Sequence, residues 1–433
     1  MGTPPPAVAT SERFRSARGA WLGMGKTDAV NRGALLLLCA RIMMSTVRAS
    51  SGIVVPVYLA QLGYDAVWIG GVFLAVGLVS AGLSVTIGWW SDRLGRKPFL
   101  IWLPVVTGLA AAGYALTANP VVLVAAAAAG SFGRGSGAGS GVVGPYQPAE
   151  QALMAALSTS RSRNRLFSVF ASGSAAGALL GSLLALLPQV PGSATLSGPG
   201  PYETTFWVMA ALGIAAGVVV LPVREPAQRA PARAPGVGAR STLSRRSQWL
   251  LRRLWTINSV NGLAVGLFGP FITFWFHRRF GAGTADIGAL FAVINAVTIG
   301  TNLTADRVAR QLGTVRAIAI ARLLQGLLLI PMALMPTFWA AGAVYLVRMS
   351  SQRIGLPLRQ SFVIGLAPPH ERARVAAFSR LLSQTITALA PTLAGYLFEE
   401  VSLSLPFGLA GGLQMVTASL LYAFFRETAS DDD

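Results

Sequence analysis

The 433-residue chain is 53% hydrophobic and only 12% charged, with a mean hydropathy of +0.57. A soluble domain carries about 25% charged residues, so this composition cannot coat a water-facing surface, and apolar stretches recurring to the chain's end exclude disorder. What remains is a polytopic membrane protein, and at about 20 residues per crossing of a core about 30 Å thick, the chain has room for a dozen helices.

In chain order, residues 1–32 come first: polar, basic and Pro-rich, without the apolar core of a signal peptide. The first membrane helix is therefore expected to act as the insertion signal. Apolar windows of helix length then fall at 33–62, 66–90, 98–117, 120–148, 165–187 and 204–222. A second set falls at 249–276, 284–305, 314–335, 337–366, 373–398 and 401–426. Residues 223–248 between the sets are rich in Arg, Ala and Pro and read as a flexible linker. The expected fold is an all-α membrane protein with twelve transmembrane helices in two six-helix bundles, 33–222 and 249–426, closed by a tail at 427–433. The lone Cys39 excludes an intrachain disulfide and reads as a small buried hydrophobe. With only two histidines, a Cys/His metal cluster is also excluded.

The net charge of +19 comes from 35 basic residues, 33 of them Arg, against 16 acids. In a soluble protein such an excess suggests nucleic acid. With the N-terminus inside, 25 basic residues fall in cytoplasmic segments and 2, Arg278 and Arg279, outside. The positive-inside rule thus predicts a multi-pass protein of the cell membrane with both termini and the linker cytoplasmic. The basic excess is topological, and no nucleic-acid partner follows from it.

The halves resemble each other. GWWSDRLGRK (Gly88 to Lys97) recurs in degraded form as NLTADRVARQ (Asn302 to Gln311), and Asp92 and Asp306 lie 214 positions apart. Pro56 and Pro270, and Arg134 and Arg348, keep that spacing, whereas Gly70 aligns better with Gly288. A two-fold repeat of six helices is a transporter architecture, with substrate held between the halves near mid-bilayer.

GWWSDRLGRK resembles the loop 2–3 signature of the major facilitator superfamily, G-x-x-x-D-R-x-G-R-K/R, with Gly88, Asp92, Arg93, Gly95, Arg96 and Lys97 all matching. RGSGAGSG, beginning at Arg134, is similar to the family's fourth-helix motif, an Arg followed by spaced glycines. The resemblance spans about 33–426 and implies secondary transport by alternating access. The fifth window reads SGSAAGALLG, without the Gly-Pro of many proton-driven drug antiporters.

Asp92 leaves the membrane where it can pair with a cation or helix N-terminus of the facing half. Arg93 and Arg96 are expected to reach Glu150, the acid ending the fourth window. With the second copy's Asp306 and Arg307, these residues form a candidate gate that latches one side shut. The intramembrane arginines Arg41, Arg48, Arg134 and Arg348, with Asn261, Asn295 and Gln352, are the candidate substrate-cavity residues, because such charges face a cavity or a partner. Arg322 and Arg380, nearer helix ends, are expected to snorkel. Asn258, Asn302 and Gln384 are further polar groups on the second half. Gly173, Gly177 and Gly181 form a close-packing stripe. Phe268, Phe274, Trp275 and Phe276 read as an interfacial aromatic belt.

No acid is placed near the bilayer centre, while proton coupling needs a titratable group on the path and Arg does not titrate. Coupling would then use Asp65 or Glu150, or a counter-ion in place of a proton. The chain has neither an embedded acid–base pair nor a phosphate-binding Gly loop ending in Lys-Ser/Thr, so an enzyme, ATP hydrolysis and a cofactor are not expected. The expected activity is movement of a small organic solute across the membrane, outward. One rival is uptake or exchange of an organic or phosphorylated anion, which the arginines favour. The other is a non-transporting scaffold or receptor, against which the preserved gate motif argues.

Overall fold

The apolar windows become helices in the computed structural model, which describes residues 28–133, 149–151, 153–154, 163–189, 200–223, 225, 244–301, 311, 314–366 and 371–430. The helices are α1 (Asp28–Gln61), α2 (Ala66–Leu94), α3 (Lys97–Leu116), α4 (Pro120–Gly130), α5 (Arg163–Leu184), α6 (Glu203–Val220), α7 (Arg245–Phe268), α8 (Ile272–Phe280), α9 (Thr284–Thr301), α10 (Thr314–Leu334), α11 (Phe338–Leu366), α12 (Arg372–Tyr396) and α13 (Leu405–Ser430). Among the described residues there is no strand, and eight helical stretches are long and apolar enough to cross a bilayer.

Local chemistry sets the helix ends. The Asp65 carboxylate accepts the Trp68 N–H at 2.7 Å and starts α2. Asn119 accepts from Val121, with Pro120 at the first helical position, where its missing N–H costs nothing. Gly95 and Gly281 end α2 and α8 with φ of +86° and +66°, a region open to glycine.

Three windows differ from expectation. The fourth, read as one helix over 120–148, stops at Gly130 and turns through Ser131, a non-glycine residue at φ +54°; 134–148 lie outside the described residues. The seventh, read as 249–276, splits into α7 and α8 around Gly269–Pro270. Pro56, at the equivalent place, stays inside an unbroken α1. It follows Val55, whereas Pro270 follows Gly269, and Gly adds about 1 kcal/mol of helix cost to the bond that Pro removes. The twelfth starts at Leu405, because α12 runs on through a π-helical turn at Leu397–Val401.

In the first half α1 packs on α5 and α6, and α3 on α4 and α6; in the second α7 packs on α12 and α13, and α10 on α11 and α13. Small residues set these approaches. Gly177 faces the Ile42 carbonyl on α1, where a Cβ would come within 2.5 Å, and Gly173 and Gly181 face the same helix. Gly108 against Gly213 closes α3 on α6, as Gly326 against Gly411 closes α10 on α13. Backbones this close maximise dispersion where lipid offers no hydrophobic drive.

The halves meet along α2–α12 and α5–α9, with α1 also touching α8. Gly70 on α2 lies against the Pro391 carbonyl of α12, and Gly288 on α9 against the Ser182 carbonyl of α5. The two glycines that align in the sequence repeat thus occupy matching places in the two seams. These seam contacts lie toward the end bearing residues 62–65, 185–189, 281–284 and 397–404, here the distal end. The 92–97 motif, Glu225, Ser244 and Glu371 mark the opposite, proximal end.

Candidate functional site

At the proximal end, Gly95 turns the chain so that the Arg96 and Lys97 N–H groups, the exposed start of α3, point at Glu225. The carboxylate accepts from Arg96 at 2.9 and 3.1 Å and from Lys97 at 3.1 Å. A Cβ on Gly95 would sit 3.0 Å from that carboxylate. In the second half Glu371 does similar work at the start of α7, accepting from the Ser244 N–H at 3.0 Å and from the Ser244 and Ser247 hydroxyls. Sequence reasoning missed both acids. The available signal was a helix start, Arg96, with no side chain able to cap it.

Gly88, Asp92 and Arg93 belong to α2, and their side chains lie outside the described set; Asp306, Arg307 and Arg134 lie outside the described residues altogether. Glu150 is fully buried and pairs with Arg41 of α1, whose Nε–H also donates to Ser174 of α5. Glu150, the acid expected beside Arg93 and Arg96, thus ties onto Arg41 of α1 and, through it, Ser174 of α5, and Arg41 is buried between them. Among the described residues the ion pairs are this one and Arg278–Glu399.

Arg48, half-buried on α1, donates to the Ser131 carbonyl at 3.1 Å, where α4 breaks. The Ser131 hydroxyl meets the Ser80 hydroxyl of α2 at 2.8 Å. Asn295, buried on α9, donates to the Ser182 hydroxyl at 3.1 Å and the Ala178 carbonyl at 3.4 Å, which places it in the seam with α5.

Arg348 is 1% exposed, its guanidinium 4.3 Å from the Phe268 ring centre and donating to the Met349 sulfur at 3.6 Å. No carboxylate pairs with it among the described residues. Asn261 on α7 accepts from Arg322 at 2.5 Å, and Asn258, one turn earlier, accepts from Arg359 at 3.3 Å. Arg322 thus turns inward instead of snorkelling; Gln352 is partly exposed on α11, and the Arg380 side chain is outside the described set.

The aromatic belt is a core. Phe268, Phe274, Trp275 and Phe276 are all buried; Phe268 and Trp275 pack with Phe407, Phe274 with Phe271 and Phe398, and Phe276 with Trp275. Phe271 also meets Phe73 of α2 edge-on at 5.4 Å, so this aromatic group plugs the distal end across the seam. The helix break at Gly269–Pro270 falls among these rings, and periodicity alone does not report such a break. Among the described residues no three His, Cys, Asp or Glu gather to hold a metal.

This arrangement, two helical halves meeting along paired seams over buried arginines, is that of a multi-pass secondary transporter. The Major Facilitator Superfamily model matches residues 2–146 and 37–384, and the chain belongs to that family. It is 25% identical over 390 residues to multidrug resistance protein MdtG of Dickeya zeae, covering 86% of this chain and 88% of that one. A bacterial homologue of the human lysosomal transporter Spinster, solved inward-facing and unoccupied, superposes with a TM-score of 0.69 at 13% identity over 94% of this chain and 99% of its own. A D-xylose–proton symporter superposes at 0.69 with 12% identity, over 92% and 98%.

Proposed function

We propose that the protein exports a small organic solute across the cell membrane by alternating access, rocking residues 33–222 against 249–426 about the seams. The observation that carries this reading is the distribution of contacts between the halves. Gly70–Pro391, Gly288–Ser182, Phe73–Phe271 and Thr273–Gly52 all lie toward the distal end. Halves whose contacts among the described residues gather toward one end are built to separate there and close at the other. With the basic loops inside, the distal end faces out and both termini face the cytoplasm. The segment 88–97, with Asp92 and its repeat Asp306, is then the inner latch, and its closure alternates with closure of the aromatic plug. The likeness to MdtG supports the outward direction and an organic cargo.

A second reading, uptake or exchange of an organic or phosphorylated anion, is favoured by Arg348, a buried cation without a carboxylate partner among the described residues. Counterflow in proteoliposomes with lipophilic cations and organic anions as rival cargoes tests both. Export predicts trans-stimulated flux of one class and its loss in Asp92→Asn. Absence of flux with every cargo, in protein that remains folded, supports a non-transporting scaffold or receptor instead.

A further inference from the structure

We propose that Arg348 is a concealed anchor for an aryl carboxylate solute, uncovered when the aromatic plug opens; this rests on the alternating-access reading above and holds for either direction of transport. Arg348 lies ten residues inside α11 and is 1% exposed. Its guanidinium packs 4.3 Å from the Phe268 ring centre, and Nη1 donates to the Met349 sulfur at 3.6 Å. Nε meets no acceptor among the described residues. The sequence holds no counter-charge for that depth, since its sixteen acids fall near helix ends, in loops or in tails.

A ring face and a thioether sulfur offset only part of the cost of a cation at membrane depth. A carboxylate offsets more, because the guanidinium fork gives it two parallel charge-assisted hydrogen bonds. With the plug closed, the covering ring stands in the way. Phe268 packs on Phe407 at 6.3 Å, and Phe407 on Trp275 at 4.7 Å. Trp275 is itself fully buried, and its Nε1–H is a second donor without an acceptor among the described residues. The ring cluster therefore conceals donors that lack acceptors. Phe268 is the last residue of α7, next to the break at Gly269–Pro270, so opening of the plug carries this ring off the cation. What is uncovered is positive charge and N–H donors between aromatic walls. That surface fits a carboxylate borne on a flat ring and repels an organic cation. It suits phosphate poorly, because the oxygens turned away from Arg348 would be buried against apolar rings.

The purified full chain in non-ionic detergent supplies the test, through its melting temperature with 2-naphthoate, neutral 2-naphthamide or inorganic phosphate. Stabilisation by naphthoate alone is expected. Arg348→Gln should weaken naphthoate binding at least about tenfold. Because the closed plug withholds the site, apparent affinity follows the uncovered fraction. Phe268→Leu removes the covering ring and should strengthen naphthoate binding about two- to tenfold. Equal stabilisation by naphthamide, greater stabilisation by phosphate, or undiminished naphthoate binding in Arg348→Gln overturns the proposal. Unchanged or weaker binding in Phe268→Leu overturns it as well. Should Arg348→Gln fail to fold, Arg348→Lys keeps the charge but loses the fork and should bind several-fold more weakly; undiminished binding there also overturns it. Binding is read without flux. Counterflow that fails for every cargo while naphthoate still binds refutes the transport reading alone, and counterflow that continues while naphthoate does not bind refutes this site alone.

Discussion

Glu399, on the π-helical turn that ends α12, accepts the Ala66 N–H at 3.1 Å, joining the second half to the first residue of α2. Two carboxylates thus serve one helix start, since Asp65 of the first half accepts the Trp68 N–H. Arg278 approaches Glu399 to 3.9 Å from α8. Below the turn Gly395 lies directly against the Ala66 carbonyl, so no side chain intervenes between α12 and α2. A cavity of about 290 Å³ opens beside the contact, lined by Phe274, Arg278, Phe398, Glu399, Val401, Ser402 and Leu403. Opening the distal end requires Glu399 to leave Ala66.

Neutralising this contact should favour the distal-open state. A carboxylate at a helix N-terminus contributes about 0.3–1 kcal/mol, so Glu399→Gln should raise the distal-open population about two- to fivefold. Spin labels on residues 67 and 396 report the spacing directly. A distance distribution identical to that of the parent would remove Glu399 from the closing mechanism.

Two glycines in equally tight contacts should behave differently. A Cβ at Gly395 presses on Ala66 across the seam, and one at Gly177 presses on Ile42 within the first half. Gly395→Val should hold the distal end apart, reducing turnover with little change in melting temperature, because the halves can separate to accommodate it. Gly177→Val has no such escape and should cost about 1–3 kcal/mol of stability. A larger loss of melting temperature for Gly395→Val than for Gly177→Val would contradict this division.

Fold class was legible because a bilayer imposes helices and the apolar windows mark them, with the 214-residue repeat indicating the two halves. The breaks were less legible. Ser131 and Gly269–Pro270 interrupt windows whose hydropathy does not change, and the deciding terms are local backbone preference and, at Ser131, a tertiary donor, Arg48, invisible to a window. Polar partners were the hardest to read. Glu150, expected beside Arg93 and Arg96 on a neighbouring helix, meets Arg41, 109 positions away. Glu225 lay in a stretch read as linker, although α3 starts with two N–H groups that need an acceptor.

The Arg41–Glu150 pair yields a stability prediction. Removing one partner of a buried pair strands the other charge and typically costs about 3–5 kcal/mol. Glu150→Gln and Arg41→Met should each lower the melting temperature strongly, and the double variant should recover a substantial part of the loss. A purely additive double-mutant cycle would mean the two charges are not coupled.

Arg48 is one of the intramembrane arginines that the sequence offers as a substrate-cavity residue. Its geometry supports another role. The guanidinium donates to the Ser131 carbonyl, at the C-terminal end of α4. That end carries orphan carbonyls and the negative pole of α4, so a cation is stabilising there. Gly133 follows at φ +69°, pressed by the Phe73 ring, so the break is also held from α2. A charged hydrogen bond of this kind contributes about 1.5–3 kcal/mol. Arg48→Ala should therefore lower the melting temperature and the folded yield while leaving the substrate constant of the surviving molecules near that of the parent. Arg48→Lys should recover part of the stability, because an ammonium still donates to a carbonyl but loses the planar fork. Binding and melting measured on the same purified variant decide the matter. A stable Arg48→Ala protein with a strongly raised substrate constant would return Arg48 to the transport path and leave the α4 break supported by Ser80 and Phe73.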